Sequence, residues 1–298
     1  MKYKLSTGMI IFRIINYLLM AIITIACIVP LWHVLMGSMS NPTAVTTTKG
    51  LILTPLKNFD FQSYKIIMNY EKLWGGYLNT LIYLAMQCVL TGVLTVVAGY
   101  VFSRKRFRTR NFFMMIISFT MLFNGGMIPT YMVIRKIGLL DTRWAIVLPS
   151  ALSVFNIIMM RTSMESIPES LEEAARIDGA NDFTIMFKII LPLCKATFAV
   201  ILLFAAIMRW NDFMSALLYL PKRTDLYPLQ MTLKTILFNI STATQDMSAQ
   251  TSLSTSVTMY QKNIEYAVIV ASTLPVLVLY PFVQKYFVSG MTIGAVKS

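Results

Sequence analysis

Four adjacent residues near the end of a long apolar run have side chains that can bind a polar solute. The run covers residues 196–220, and the four residues are Arg209, Trp210, Asn211 and Asp212. Ionisable groups at membrane depth are costly and usually face a protein interior or a water-filled cavity. Arg209 and Asp212 stand three residues apart, so they can pair on one face of a helix. Three interpretations remain open: a polar pathway, a buried ion pair that fixes two helices, or a helix end at the outer interface.

A further candidate for a polar pathway lies in the apolar run 112–134. This run is interrupted by Asn124, Gly125, Gly126 and Pro129. Two glycines and a proline free backbone groups that protein, or water in a cavity, must then satisfy. Asn124 therefore joins the predicted pathway residues. The alternative is a helix that ends near Phe123, followed by a structured outer loop.

Catalytic and metal-binding patterns are missing from the sequence. The one histidine, His33, stands at the end of the first apolar run, where a lone histidine usually has a structural role. The three cysteines lie in or beside apolar segments without a CxxC pairing, which indicates buried small residues rather than a disulfide or a metal site. No Gly-rich phosphate loop of the Walker type occurs. We therefore expect no enzyme, no metal and no cofactor in this chain.

The composition indicates a polytopic membrane protein. Of the 298 residues, 56% are hydrophobic and only 13% are charged, and a soluble domain of this content would expose large apolar patches. Basic residues cluster in short loops between apolar runs, above all five in the loop 103–110. Such a cluster can bind nucleic acid. The positive-inside rule explains it better, so we expect no nucleic-acid partner and a cytoplasmic loop.

Six apolar runs are each taken as a span of the bilayer core, which is roughly 30 Å thick. They are 14–36, 77–102, 112–134, 144–160, 196–220 and 266–287. The first is interpreted as an uncleaved helix, because the apolar core of a cleaved signal peptide is shorter and ends in small residues. A cytoplasmic loop 103–110 then places both termini in the cytoplasm and the polar segments 37–74 and 221–264 outside.

The stretch 166–193 has many charges in an otherwise apolar chain, and it predicts two short helices that meet at a glycine. Ser166 and Glu169 have the spacing of a capping box, in which each side chain bonds a backbone N–H of the first turn. Pro168 falls in that first turn, where a missing N–H costs nothing. The expected product is an angled helix pair at a membrane surface.

The apolar positions of this stretch define the faces of the two helices. One face of the first helix is expected to contain Leu171, Ala174 and Ala175, and the stripe of the second Phe183, Met186, Ile189 and Ile190. Gly179 can supply the left-handed residue that ends the first helix. Asn181 or Asp182 can cap the second. Pro192 marks a bend before the next apolar run.

Part of this stretch resembles the EAA motif in the membrane subunits of bacterial binding-protein-dependent ABC importers. The residues at the spacing of the motif are Glu173, Ala174, Ala175, Gly179, Ile189, Leu191 and Pro192. The sequence IDGA at 177–180 and the run IGLLDTRWAIVLP at 137–149 are similar to the carbohydrate branch, in particular to oligosaccharide importers. The similarity extends along the whole chain. One departure is Cys194-Lys195-Ala196, where the family usually has a proline.

The resemblance implies an all-α permease of the ABC type I importer fold, with six membrane helices in a single domain over 1–298. The helix pair 166–193 would dock on an ATPase subunit and transmit its motion. The coupling residues would be Glu173, Ala174, Ala175, Asp178, Gly179 and Pro192. In the pathway, Trp210 would offer a flat apolar face to a pyranose ring, next to Asn211, Asp212 and Asn124.

The resemblance also implies an assembly in the bacterial inner membrane. Its partners would be a homologous second permease subunit, two ATPase subunits that bind ATP and Mg, and an extracytoplasmic sugar-binding protein. The alternative is a secondary transporter or a channel for a small polar solute. Carboxylates at the centre of several helices would favour this alternative. Here the carboxylates concentrate in the helix pair and the outer loops, which favours the ATPase-driven importer.

Overall fold

The computed structural model describes residues 7–123, 125–245 and 259–295, and every regular element among them is helical. We number the fifteen α-helices of these described ranges in chain order. They are α1 (Thr7–Ser38), α2 (Pro42–Thr47), α3 (Gln62–Met68), α4 (Glu71–Ser103), α5 (Arg110–Leu122), α6 (Met127–Lys136), α7 (Arg143–Val147), α8 (Val154–Glu165), α9 (Glu169–Ile177), α10 (Asp182–Thr184), α11 (Leu191–Leu193), α12 (Lys195–Trp210), α13 (Met214–Tyr219), α14 (Leu229–Gln245) and α15 (Gln261–Ala295). Short 3₁₀ turns occupy Leu148–Ser150 and Thr224–Leu226, and one π-helical turn occupies Ile185–Ile190.

The chain forms two compact units. The first contains residues 1–70 and 235–275, and the second contains 71–234 and 276–298. The expected polar segment 37–74 contains two short helices, α2 and α3, and the segment 221–264 contains α14. The predicted single domain over 1–298 stays a prediction.

The described helices α1 and α4 are long and apolar enough to cross a membrane. Counting each of three bent helix pairs as one span raises the number among the described residues to five. Long apolar helices satisfy every backbone group internally, which is the condition for crossing lipid. Since the described residues give at most five spans, the predicted number of six stays a prediction.

Three of the predicted spans are broken helices. The run 112–134 divides into α5 and α6, and Gly126 between them has a left-handed φ of 87°. The run 144–160 divides at the 3₁₀ turn that contains Pro149, and the two parts meet at 52°. The run 196–220 ends its first helix at Trp210, and the Asp212 carboxylate then accepts the N–H of Ser215 (3.0 Å). Proline lacks an N–H, and a short polar side chain competes for the backbone, so each break has a local cause.

His33 holds the end of α1 in the first unit. Its Nδ1 accepts the N–H of Ile52 (2.9 Å), and its Nε2 lies 3.2 Å from the Tyr266 hydroxyl. The amide of Asn263 donates to the carbonyls of Gly37 (3.1 Å) and Ser40 (2.7 Å). Both ring nitrogens of the histidine are therefore engaged, which is the structural role that the sequence indicated.

Helix α4 is the central helix of the second unit, where it packs against α8 and α12. Gly99 permits the close approach to α8, because a Cβ at this position would lie 2.8 Å from Cγ of Met160. Beneath the helix pair lies a core of buried apolar side chains from α4, α8, α9, α12 and the π-helical turn. This core comprises Val96, Tyr100, Met160, Met164, Ala175, Ile185, Met186, Ile190, Cys194 and Ile201.

Candidate functional site

The joint of the helix pair lies at Gly179, as the sequence predicted. Helix α9 ends at Ile177 with Asp178 as its C-cap, and Gly179 has a φ of 84°. The N–H of Gly179 donates to the Arg176 carbonyl (3.0 Å), and the N–H of Ala180 donates to the Ala175 carbonyl (2.9 Å). These two bonds form a Schellman motif, which requires a left-handed residue and therefore favours glycine.

The second helix of the pair begins at the predicted cap and ends at a sharp bend. The Asn181 side chain accepts the N–H of Thr184 (2.8 Å), so Asn181 is the N-cap of α10. The helical segment Asp182–Leu193 then meets α12 at 86°. Pro192 lies inside α11, and the bend follows at Cys194, whose N–H still bonds the carbonyls of Ile190 (3.2 Å) and Leu191 (3.1 Å).

The predicted capping box at the start of α9 is wrong. Ser166 is the C-cap of α8 with helical dihedrals, and its hydroxyl donates to the Ser163 carbonyl (2.7 Å). Pro168 is the residue that precedes α9, without a side-chain cap, and Glu169 instead forms an ion pair with Lys105 (3.1 Å). Because Ser166 caps the C-terminal end of α8, its hydroxyl bonds a carbonyl of that helix instead of the first N–H groups of α9.

The buried face of α9 differs from the predicted apolar face. Ala175 is buried, but Leu171 and Ala174 are exposed, and the other buried residue is Glu172, with 8% of its surface exposed. The stripe of the second helix is confirmed at Met186 and Ile190, which are buried. Phe183 is exposed instead, and Ile185 takes a fully buried position in the core. Helix α9 therefore faces the core with a carboxylate where the pattern predicted a leucine.

Glu172 is surrounded by two guanidinium groups and a phenol. Arg104, from the loop after α4, forms an ion pair with Oε2 of Glu172. Arg176, one turn further along α9, donates to Oε1 (2.9 Å), and the Tyr100 hydroxyl lies 3.3 Å from the same oxygen. Burial acts to raise the pKa of Glu172, but the hydrogen bonds from Arg176 and Arg104 outweigh it and hold the pKa below its ordinary value. Glu172 is therefore ionised at neutral pH.

Sequence reasoning missed Glu172, although two signals were present. Glu172 and Arg176 have the i, i+4 spacing of a helical ion pair. The loop 103–110 also has five basic residues, any of which can pair with a carboxylate. Neither signal says which cation of the loop reaches which carboxylate, since this depends on how α4 packs against α8.

The other predicted coupling residues lie on the exposed side of the pair. Exposed there are Glu173, Ala174, Asp178, Gly179 and Pro192, together with Ile177, Leu171 and Phe183. Ile177 has 87% of its surface exposed, and the neighbouring carboxylate of Glu173 forms no ion pair or hydrogen bond with another described residue. An exposed apolar patch with an available carboxylate is typical of a protein–protein contact. Ala175 alone of the predicted set faces the core.

The pairing of Arg209 and Asp212 is confirmed, and its arginine is buried. Nη1 of Arg209 lies 2.5 Å from Oδ2 of Asp212, and only 3% of the arginine is exposed. Nη2 of Arg209 donates to Oε1 of Gln87 on α4 (2.8 Å) and also reaches the Ser150 hydroxyl. This geometry fits the interpretation of an ion pair that fixes helices to one another.

The remaining predicted pathway residues have different surroundings. Trp210 is buried, whereas Asn211 is exposed and donates to the Ile207 carbonyl of its own helix (2.9 Å). Asn124 lies outside the described residues. A pathway formed by these residues stays a prediction.

The sequence analysis also did not predict a stripe of buried polar side chains on α4. Its members follow one another at four-residue intervals and are Asn79, Tyr83, Gln87, Thr91 and Thr95. Asn79 accepts from Arg143 (2.8 Å), and Thr91 donates to the Ala151 carbonyl (2.9 Å). The signal was visible in the sequence, since a four-residue repeat of polar side chains in an apolar run marks one helix face. The stripe connects α4 to the segment around α7.

A family-wide comparison decides the class of the protein. The family described as the inner membrane component of binding-protein-dependent transport systems matches residues 91–293. The chain belongs to this family. The match includes the loop of Arg104, the helix pair 166–193 and the buried pair of Arg209 and Asp212.

Individual relatives of the permease agree with this assignment. This chain is 37% identical over 287 residues to the polygalacturonan/rhamnogalacturonan transport system permease protein YtcP of Bacillus subtilis (strain 168). The alignment covers 96% of this chain and 98% of YtcP. This chain is 35% identical over 289 residues to protein LplC of the same organism, covering 96% and 95%. A chain in the crystal structure of a bacterial ABC transporter that imports the acidic polysaccharide alginate matches with a TM-score of 0.84 and 35% identity, covering 96% of this chain and 100% of that chain.

The fold is therefore that of type I importer permeases, and the chain is a transport subunit rather than an enzyme. ATP hydrolysis resides in separate subunits. The alternative of a secondary transporter or a channel is rejected, because the family works with binding proteins.

Proposed function

We propose that this permease imports an oligosaccharide that an extracytoplasmic binding protein delivers, and that the helix pair 166–193 couples it to an ATPase. The observation that supports the coupling role most directly is the pair itself. Its inner side packs on the core of the second unit, and its outer side presents Glu173 and Ile177. A partner that binds this outer side would therefore move the packed helix pair as one element.

The proposed assembly has four further chains. A homologous permease completes the pore, two ATPase subunits bind ATP and Mg, and the binding protein docks from outside. Both termini and the helix pair lie in the cytoplasm. Closure of the ATPase dimer on ATP moves the helix pairs and turns the permeases from inward-facing to outward-facing. This requires that ATP has different affinities for the two states of the complex, because only such a ligand shifts an equilibrium.

An acidic oligosaccharide is the substrate class that we propose. YtcP is named for polygalacturonan and rhamnogalacturonan, and the matching crystal structure concerns the acidic polysaccharide alginate. Galacturonan and alginate are both polymers of uronic acids, whose sugar units have carboxylates. Each of these two proteins is at least 35% identical to this chain over nearly its full length. The shared chemistry of the two substrates supports a uronate oligomer.

The test is the hydrolysis of ATP by the reconstituted complex in proteoliposomes. We expect the binding protein loaded with a galacturonate or alginate oligomer to stimulate hydrolysis and uptake at least tenfold. A maltooligosaccharide of equal length is the matched neutral control and should give little stimulation. Stimulation by the neutral oligomer alone would overturn the acidic class, and stimulation by neither would count against the import of oligosaccharides.

The proposed topology is tested by cysteine labelling from one side of the membrane. Single cysteines at Arg106 and Glu173, both exposed, should react only from the cytoplasm, and a cysteine at Lys222 only from outside. The experiment uses a background in which Cys27, Cys88 and Cys194 are replaced by alanine. Labelling of Arg106→Cys and Glu173→Cys from opposite sides would contradict the arrangement of the membrane helices.

A further inference from the structure

Four charged residues of alternating sign form a continuous chain under and across the joint of the helix pair. Arg104 pairs with Glu172, Glu172 pairs with Arg176 (2.9 Å), and Nη2 of Arg176 also lies 2.6 Å from Oδ1 of Asp182. Asp182 is the first residue of α10, so Arg176 spans the joint at Gly179. The two short helices are thus linked by an ionic bridge as well as by the backbone.

Arg104 is fixed at the other end of this chain. Its Nη2 donates to the Met164 carbonyl at the end of α8 (3.1 Å), and its Nε donates to the Ser103 hydroxyl (2.9 Å). Its guanidinium lies over the Tyr100 ring, 5.0 Å from the centroid. A guanidinium with donors in a fixed fork can hold several acceptors at once, which a lysine cannot do. The guanidinium of Arg104 is therefore held in place by contacts with the ends of α4 and α8.

A neighbouring ion pair shows what an ordinary surface contact looks like here. Lys105 and Glu169 come from the same loop and the same helix, but their side chains are 73% and 50% exposed. The side chains of Arg104 and Glu172 are each only 11% exposed. Exposed pairs contribute little, whereas removing one partner of a buried pair leaves a buried charge and is strongly unfavourable. Two pairs between the same elements therefore differ mainly in burial.

We propose that Arg104 and Glu172 are positioning residues that transmit the movement of α9 directly into α4. This inference rests on the proposed coupling function and adds a route to it. The backbone connects the helix pair to α8 on one side and, through the bend at Cys194, to α12 on the other. No short stretch of backbone connects α9 to α4, because Arg104 and Glu172 are 68 residues apart in the sequence. The ionic link does, and α4 is the helix against which α8 and α12 pack.

The experiment compares the buried pair with the exposed pair in the reconstituted complex. The variants are Glu172→Gln and Arg104→Gln, with Glu169→Gln and Lys105→Gln as matched controls. We expect the first two to lower the stimulation of ATP hydrolysis by loaded binding protein at least tenfold, with fewer substrate molecules imported per ATP. The controls should stay within twofold of the wild type. All values are taken per assembled complex, so that a loss of protein alone does not count as uncoupling.

A double variant and a conservative variant make the result decisive. Arg104→Gln/Glu172→Gln should be no worse than either single variant, because residues that act as one pair are non-additive. Arg104→Lys keeps the charge but loses the fork, so it should assemble and show an intermediate stimulation. If the buried-pair variants reduce only the amount of complex, or if no variant assembles, the pair serves folding and the inference is overturned. A wild-type complex that never responds to binding protein would instead contradict the proposed function.

Discussion

Gly179→Val is expected to reduce uptake to background while the permease remains in the membrane. The φ of 84° at Gly179 is unfavourable for any residue with a Cβ, and a β-branched side chain raises the cost to about 1 kcal/mol or more. A Cβ at this position would meet no other atom of this chain within 4 Å, so inside the permease the effect comes from the backbone. The joint then takes another angle, and the hydrolysis of ATP no longer responds to loaded binding protein. Proteoliposome assays of uptake and hydrolysis measure both effects.

Gly138→Val is the matched control for this prediction. Gly138 follows α6, has a φ of 74°, and would also place a Cβ in open space. The backbone cost of the two substitutions is therefore similar, but Gly138 lies outside the helix pair. We expect Gly138→Val to assemble at a similar level and to keep stimulated hydrolysis. Equal behaviour of the two variants would mean that the joint at Gly179 has no special part in coupling.

Asp212→Ala is expected to remove most of the assembled permease from the membrane. The substitution leaves the guanidinium of Arg209 buried without its carboxylate, and breaking a buried pair in this way costs about 3–5 kcal/mol. That is a large part of the stability of a typical domain, about 5–15 kcal/mol. The amount of permease in the membrane and its thermal unfolding in detergent measure the effect.

Asn211→Ala serves as the control beside it. Asn211 is exposed, and its side chain bonds only a carbonyl of its own helix among the described residues. Its removal should change the stability by less than about 0.5 kcal/mol. If Asp212→Ala assembles normally but loses uptake, Asp212 serves the pathway instead of the structure, as the sequence alone also allowed.

Three predictions that depend on neighbouring residues in the chain agree with the structure. The left-handed Gly179 and the cap at Asn181 are confirmed, because each depends on backbone groups within four residues. The pairing of Arg209 and Asp212 is also confirmed, because the two residues stand three apart across the turn that ends α12. The capping box failed because Ser166 belongs to the end of α8, a boundary that spacing does not reveal.

The sequence by itself determined the class of the protein and the place of its helix pair. Apolar composition excludes water-exposed folds, and glycine, asparagine and charge patterns act over a single helical turn. Only the tertiary structure decided which side of α9 is buried. The pattern placed Leu171 inside, but Glu172 lies there, because Arg104 from the loop after α4 pairs with its carboxylate and Tyr100 of α4 donates a hydrogen bond to it. A carboxylate can be buried only where such partners meet it, and that meeting depends on helix packing across about 70 residues of chain.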